Sequence, residues 1–126
     1  MRLLIAACAF LSLGSVHVRA ENGIRPGLFV IEPPTLICLG FEWEIAGDDN
    51  RNASVEVSYR RSGAGEWKQA LPLLRMGGER VFRETEHLDY TVPDRFAGSI
   101  LDLDPDTEYE VRLTMKIGRA SCRERV

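Results

Sequence analysis

Leu101-Asp-Leu-Asp-Pro-Asp-Thr-Glu-Tyr-Glu-Val111 reads as the end of one strand, a corner, and the start of another. Pro105 fixes its own φ and brings no backbone donor, so ladder pairing stops there. Asp104, Asp106 and Thr107 are residues that turn a chain by bonding to nearby backbone. Beyond the corner, Tyr109, Val111, Leu113 and Met115 point one way while Glu108, Glu110, Arg112 and Thr114 point the other. That period of two is the mark of a half-buried strand. Tyr109 opens it. Before the corner, Phe96, Gly98 and Ile100 alternate into a strand that Leu103 closes.

Working outward, Ile37, Leu39, Phe41, Trp43 and Ile45 alternate without a break, which predicts a second strand with Trp43 in its buried phase. Leu28-Phe-Val-Ile31 is a short apolar run ended by Pro33-Pro34, as an edge strand is. Val55, Val57 and Tyr59 mark a further strand. Ser62-Gly-Ala-Gly65 turns it into a short partner, Glu66-Trp-Lys-Gln69, whose Trp67 fits either a sheet face or a contact with a following domain. The segment from Leu71 to Pro93 is long for one connection. Within it Arg80-Val-Phe-Arg83 suggests a brief strand and Glu84 to Tyr90 has no clear pattern. The expected core is Leu39, Phe41, Trp43, Val55, Val57, Tyr59, Ile100, Tyr109, Val111 and Leu113, drawn from two facing sheets.

The 126 residues allow at most one domain once both ends are set aside. Met1-Arg2, the apolar run Leu3 to Leu13, and Val18-Arg-Ala20 have the form of a signal peptide cleaved after Ala20. A membrane anchor would need nearly twice that apolar length. Residues 21–27 then form a polar lead-in to a domain at 28–115. Residues 116–126 are expected to be a non-native tail, because Ile117-Gly-Arg-Ala-Ser-Cys-Arg-Glu-Arg-Val126 looks like a translated sequencing-library adapter. The domain would therefore stop before its last strand and leave Tyr109–Met115 with an open edge. The tail is expected as coil, or as a weakly held strand with little burial, since it has no alternating apolar face.

Between Glu21 and Met115, 10 basic against 18 acidic side chains leave a formal net charge of −8. That charge disfavours nucleic acid and anionic membranes as partners. Cys8 lies in the leader and Cys122 in the tail, so Cys38 has no disulfide partner in the domain. A catalytic site needs convergent groups of tuned acidity. No nucleophile elbow, phosphate loop, paired-cysteine site or histidine motif is present. Glu42 with Glu44, and Glu108 with Glu110, sit on solvent-facing strand sides, where an open sheet does not raise an acid's pKa. Asp48-Asp-Asn50 and Asp102, Asp104 and Asp106 carry calcium-type oxygens, but turn chemistry explains them. His87 between acids is a solvated side chain. Asn52-Ala-Ser54 is a glycosylation sequon of consequence only in a eukaryotic secretory pathway. No catalytic residue, cofactor site or metal site is expected.

Four features together resemble fibronectin type III domains over about Leu28 to Met115. They are Trp43, the strand Val57-x-Tyr59-Arg60, Trp67, and the corner Leu103-x-Pro105-x-Thr107-x-Tyr109-x-Val111. The resemblance implies an all-β, immunoglobulin/fibronectin type III-like sandwich in which Trp43, Tyr59, Trp67, Pro105, Thr107 and Tyr109 are structural. The long segment after residue 70 and the missing last strand depart from that pattern. A narrower likeness runs through Pro33-Pro-Thr-Leu36, Gly40-Phe-Glu-Trp43, Gly47-Asp-Asp-Asn-Arg-Asn-Ala53, Ala70-Leu-Pro-Leu-Leu-Arg75 and Phe96-Ala-Gly-Ser-Ile-Leu-Asp-Leu103. These look like the amino-terminal module of bacterial secreted proteins whose following domain is a right-handed parallel β-helix. That implies a non-catalytic accessory or spacer in a secreted, periplasmic or cell-surface protein. Its partner would be the following domain, with polysaccharide bound through that domain. Alternatives are the sandwich that precedes purple-acid-phosphatase-like metallophosphoesterases and a cell-surface adhesion module. A spacer is expected to bind neither polysaccharide nor divalent metal by itself.

Overall fold

The computed structural model describes residues 21–117 and the backbone of 120–125, so the leader reading lies outside the described residues. Ten strands follow in chain order: β1 (Ile24–Ile31), β2 (Leu39–Gly47), β3 (Ser54–Arg61), β4 (Lys68–Gln69), β5 (Leu74–Met76), β6 (Arg80–Arg83), β7 (Leu88–Thr91), β8 (Arg95–Ile100), β9 (Tyr109–Ile117) and β10 (Ala120–Arg125). One sheet has the order β1-β2-β8-β5 and the other β10-β9-β3-β4, while β6 and β7 form a separate hairpin. All pairings are antiparallel. This is an all-β sandwich with immunoglobulin-like strand order.

The alternation read in the sequence sets the core. Phe41, Trp43, Ile45, Phe96 and Ile100 from the first sheet pack with Val55, Val57, Val111, Leu113 and Met115 from the second. Leu113, Met115 and Val55 have no solvent exposure and Trp43 retains 4%. Phe29 joins from β1, edge-on to Trp43 with ring centroids 5.6 Å apart. Leu39, Tyr59 and Tyr109 are half-buried against this core rather than inside it. Leu39 and Tyr109 stand at the ends of their strand pairs and Tyr59 two residues in from the end of its own.

Three expectations need correction. First, β1 begins at Ile24, so Ile24 to Gly27 belong to a strand and not to a lead-in. The pairing Pro26↔Ile45 followed by Phe29↔Trp43 places one extra residue on β1. That bulge lets an edge strand carry a proline without losing its partner. Second, the edge of β9 is not open. Ala120–Arg125 pairs with β9 from Ile117 back to Arg112, in the place of a last strand. Backbone pairing needs no apolar face, and six consecutive partners outweigh the missing alternation. Third, the long segment after residue 70 adds a strand to the first sheet: Leu74–Met76 pairs with Ala97–Arg95 of β8.

The turn between β2 and β3 carries the one fully buried charged side chain among the described residues, Asp48. Its Oδ1 accepts the Asn52 and Ala53 amides, each at 3.1 Å. Its Oδ2 accepts Arg75 Nε at 3.0 Å, and Arg75 reaches on to Asp94 Oδ1 at 2.9 Å. Gly77 follows in a left-handed conformation, φ +127°, and a Cβ there would lie 2.3 Å from Asp94 Oδ1.

Two measurements check this architecture. A chain ended at Ile117 loses ladder bonds that contribute about 1 kcal/mol each, so it should melt several degrees lower or aggregate through the bared β9 edge. Equal melting would show that β10 adds no net pairing. Arg75→Met removes the cation facing a fully buried carboxylate and should cost about 3 kcal/mol in urea unfolding. Arg83→Met, which breaks an exposed 3.8 Å contact with Glu86, should change stability little.

Candidate functional site

The corner between β8 and β9 is held from three sides. Leu103 is buried, and its amide donates to Ile37 O at 2.9 Å, tying the corner to the connection between β1 and β2. Ser62 N–H donates to Glu108 O at 2.9 Å, tying it to the turn after β3. Tyr109 ties the corner to itself: its hydroxyl accepts the Asp104 amide at 3.0 Å and donates to Asp104 Oδ2 at 2.9 Å. Thr107 Oγ1 donates to Pro105 O at 2.9 Å. Asp102 and Asp106 take left-handed φ values of +56° and +50°, a conformation that aspartate accepts more readily than most residues.

Arg61 forms an ion pair with Asp104 across this corner. The pair, with the Tyr109 hydroxyl, holds the Asp104 carboxyl below the ordinary aspartate range, the bond to Arg61 being the larger cause. The Arg61 guanidinium is raised in turn, chiefly by Asp104. Tyr59 and Tyr109 lie side by side with ring centroids 6.1 Å apart. With Arg60, Arg61, Glu66, Lys68, Asp102, Leu103 and Asp104 they line a hollow of about 360 Å³. A second hollow, of about 190 Å³, lies on the far side of Asp104 and Tyr109, against Leu36 to Leu39.

Of the other residues singled out, Trp67 packs on the sheet face and not as an open contact. Its ring lies between the guanidinium of Arg60, at 4.6 Å, and that of Arg112, at 4.0 Å. Such stacks neutralise the repulsion of neighbouring cations by the ring's negative face. Of the two carboxylate pairs, Glu42 with Glu44 and Glu108 with Glu110, three members face arginines and Glu108 is exposed. Glu42 and Glu44 both face Arg95. Glu110 accepts Arg60 at 2.7 and 2.9 Å. His87 is exposed and ends the short turn Glu84–Glu86. Cys38 is a free, half-buried thiol. Asp48 caps its own turn as the sequence suggests, but its ion pair with Arg75 was not foreseen. No local signal joins two residues 27 positions apart.

Among the described residues no group of three or more His, Cys, Asp or Glu side chains is placed to hold a metal ion. Among them, too, no helix is long and apolar enough to cross a membrane. The arrangement defines an immunoglobulin-like sandwich in which Glu42, Glu44, Asp48, Asp104 and Glu110 are engaged by arginines. No protein-family model, curated protein or solved structure matches the chain.

The Asp104 contacts set a pH dependence. A carboxyl depressed by folding stabilises the fold above its unfolded pKa, and that contribution is lost as pH falls through the folded value. A carbon-detected NMR titration should therefore place Asp104 below the ordinary aspartate range. Arg61→Gln should return Asp104 toward the ordinary range, and no change in that variant would remove the ion pair as the cause.

Proposed function

We infer that residues 28–115 are a non-catalytic accessory or spacer module at the amino-terminal end of a larger exported bacterial protein. The following domain is then a right-handed parallel β-helix that acts on polysaccharide. The likeness read from Pro33–Leu36, Gly40–Trp43, Gly47–Ala53, Ala70–Arg75 and Phe96–Leu103 supports this reading. The observation that carries the non-catalytic part is that four carboxylates, Glu42, Glu44, Asp104 and Glu110, each face an arginine. Glu42 and Glu44 face Arg95, Glu110 faces Arg60, and Asp104 faces Arg61. An acid or base for glycoside chemistry needs one carboxyl of raised pKa in a sheltered site. At Asp104 the Arg61 guanidinium acts in the opposite direction.

The continuation of the gene tests the placement. Asn- and Gly-rich coils at a period of 20–30 residues are the expected result. Dinuclear-metal Asp and His motifs, or further sandwich repeats, would replace the reading with a phosphoesterase or an adhesion protein. Incubating the chain with pectin, xylan and alginate should release no new reducing ends. Turnover abolished by Glu42→Gln or Glu110→Gln would overturn the non-catalytic part.

A further inference from the structure

The hollow beside the β8–β9 corner holds polar groups that the fold does not use. Of its charged lining, Arg60 is committed to Glu110, and Arg61 and Asp104 to each other. Lys68, Glu66, Asp102 and the Tyr59 hydroxyl make no hydrogen bond or ion pair with a described residue. Lys68 acts on Asp104 only through space. One cation, two carboxylates and one hydroxyl thus border a space walled by two tyrosines and floored by buried Leu103. Its volume of about 360 Å³ falls at the low end of small-molecule sites.

The composition of the lining selects the ligand. Three bases and three acids leave the hollow formally neutral. An inorganic anion would find one uncommitted ammonium opposed by two uncommitted carboxylates, and the domain's net charge adds to the repulsion. A wholly apolar ligand would leave four polar groups without partners. A pyranose offers what the lining lacks. Its hydroxyls donate to carboxylates and accept from an ammonium or a phenol, and its C–H face suits the aromatic wall. We propose that this hollow is a binding subsite for one or two units of a neutral sugar. The module then contributes a weak carbohydrate contact of its own, which departs from the inert spacer expected from the sequence.

The inference stands on the hollow and not on the identity of the following domain, so the gene's continuation and this test can fail separately. Amide NMR spectra of the full chain would be recorded while titrating cellotriose, maltotriose and mannotriose. Galacturonate trimer and inorganic phosphate serve as comparators. At least one neutral trisaccharide should give saturable shifts centred on Ala64 to Glu66 and Asp102 to Asp104. Lys68→Ala combined with Asp102→Asn should weaken that binding by about 10-fold or more, as loss of two charge-assisted hydrogen bonds does. Both side chains are exposed, and asparagine tolerates the left-handed backbone at 102, so the variant should melt like the parent. The absence of saturable shifts up to about 10 mM sugar would overturn the proposal. So would shifts produced equally by phosphate or galacturonate, or binding unchanged in the double variant.

Discussion

A carboxylate with no solvent exposure is costly unless every lone pair finds a donor, and the upper pole of this sandwich is arranged around one. Asp48 receives two amides from its own turn and one guanidinium from β5. The turn after β2, the added strand β5 and the loop entering β8 at Asp94 are therefore fixed together. Replacing such a pair by apolar residues is often neutral, while removing one partner is not. The pair contributes position more than net stability. It holds Leu74–Met76 beside β8, and with that strand in place Leu73 enters the core.

The opposite pole solves the same problem differently. There the polar groups stay near water, and the tyrosine hydroxyl carries the accounting. One oxygen accepts an amide and donates to a carboxylate of the same residue, so Asp104 is held at both its backbone and its side chain. Arg61 completes the set from the second sheet. Two tightly pinned poles hold the apolar layer between them. The same pinning gives the hollow beside Tyr59 a preformed shape.

The elements legible in the sequence are those where one face is buried. In β2, β3 and β9 a shift of one residue would turn Trp43, Val57 or Leu113 outward, so the alternation had to be written into the chain. Trp43 and the corner at Pro105 were legible for that reason. β5 was not, because three residues show no period, and its reason for being there is Arg75. β10 was not, because Ala120 to Arg125 shows no alternating apolar face in the sequence. Trp67 was ambiguous since its partners, Arg60 and Arg112, lie on strands that are neighbours only in the folded sheet. The hollow was equally hidden: its lining comes from the ends of β3 and β9, the turn after β3, and the corner. No stretch of chain contains more than a part of it.

The long connection that departs from the usual pattern also follows from these constraints. β5 must end at Gly77, where a side chain would strike Asp94, and the chain must return at Asp94 to enter β8. The two points are already adjacent, so whatever lies between them closes on itself. Gly78 N–H donates to Val92 O at 2.9 Å and Val92 N–H to Glu79 O at 2.8 Å, sealing the base of the β6–β7 hairpin. The hairpin strands pack on each other rather than on the two larger sheets, and Phe82 and Tyr90 remain more than half exposed. Closing a longer or shorter loop across a fixed gap changes the entropy only slowly with length. Length in this segment is therefore decoupled from the sandwich, which explains how an irregular sequence between Glu79 and Val92 coexists with strict alternation on either side of it.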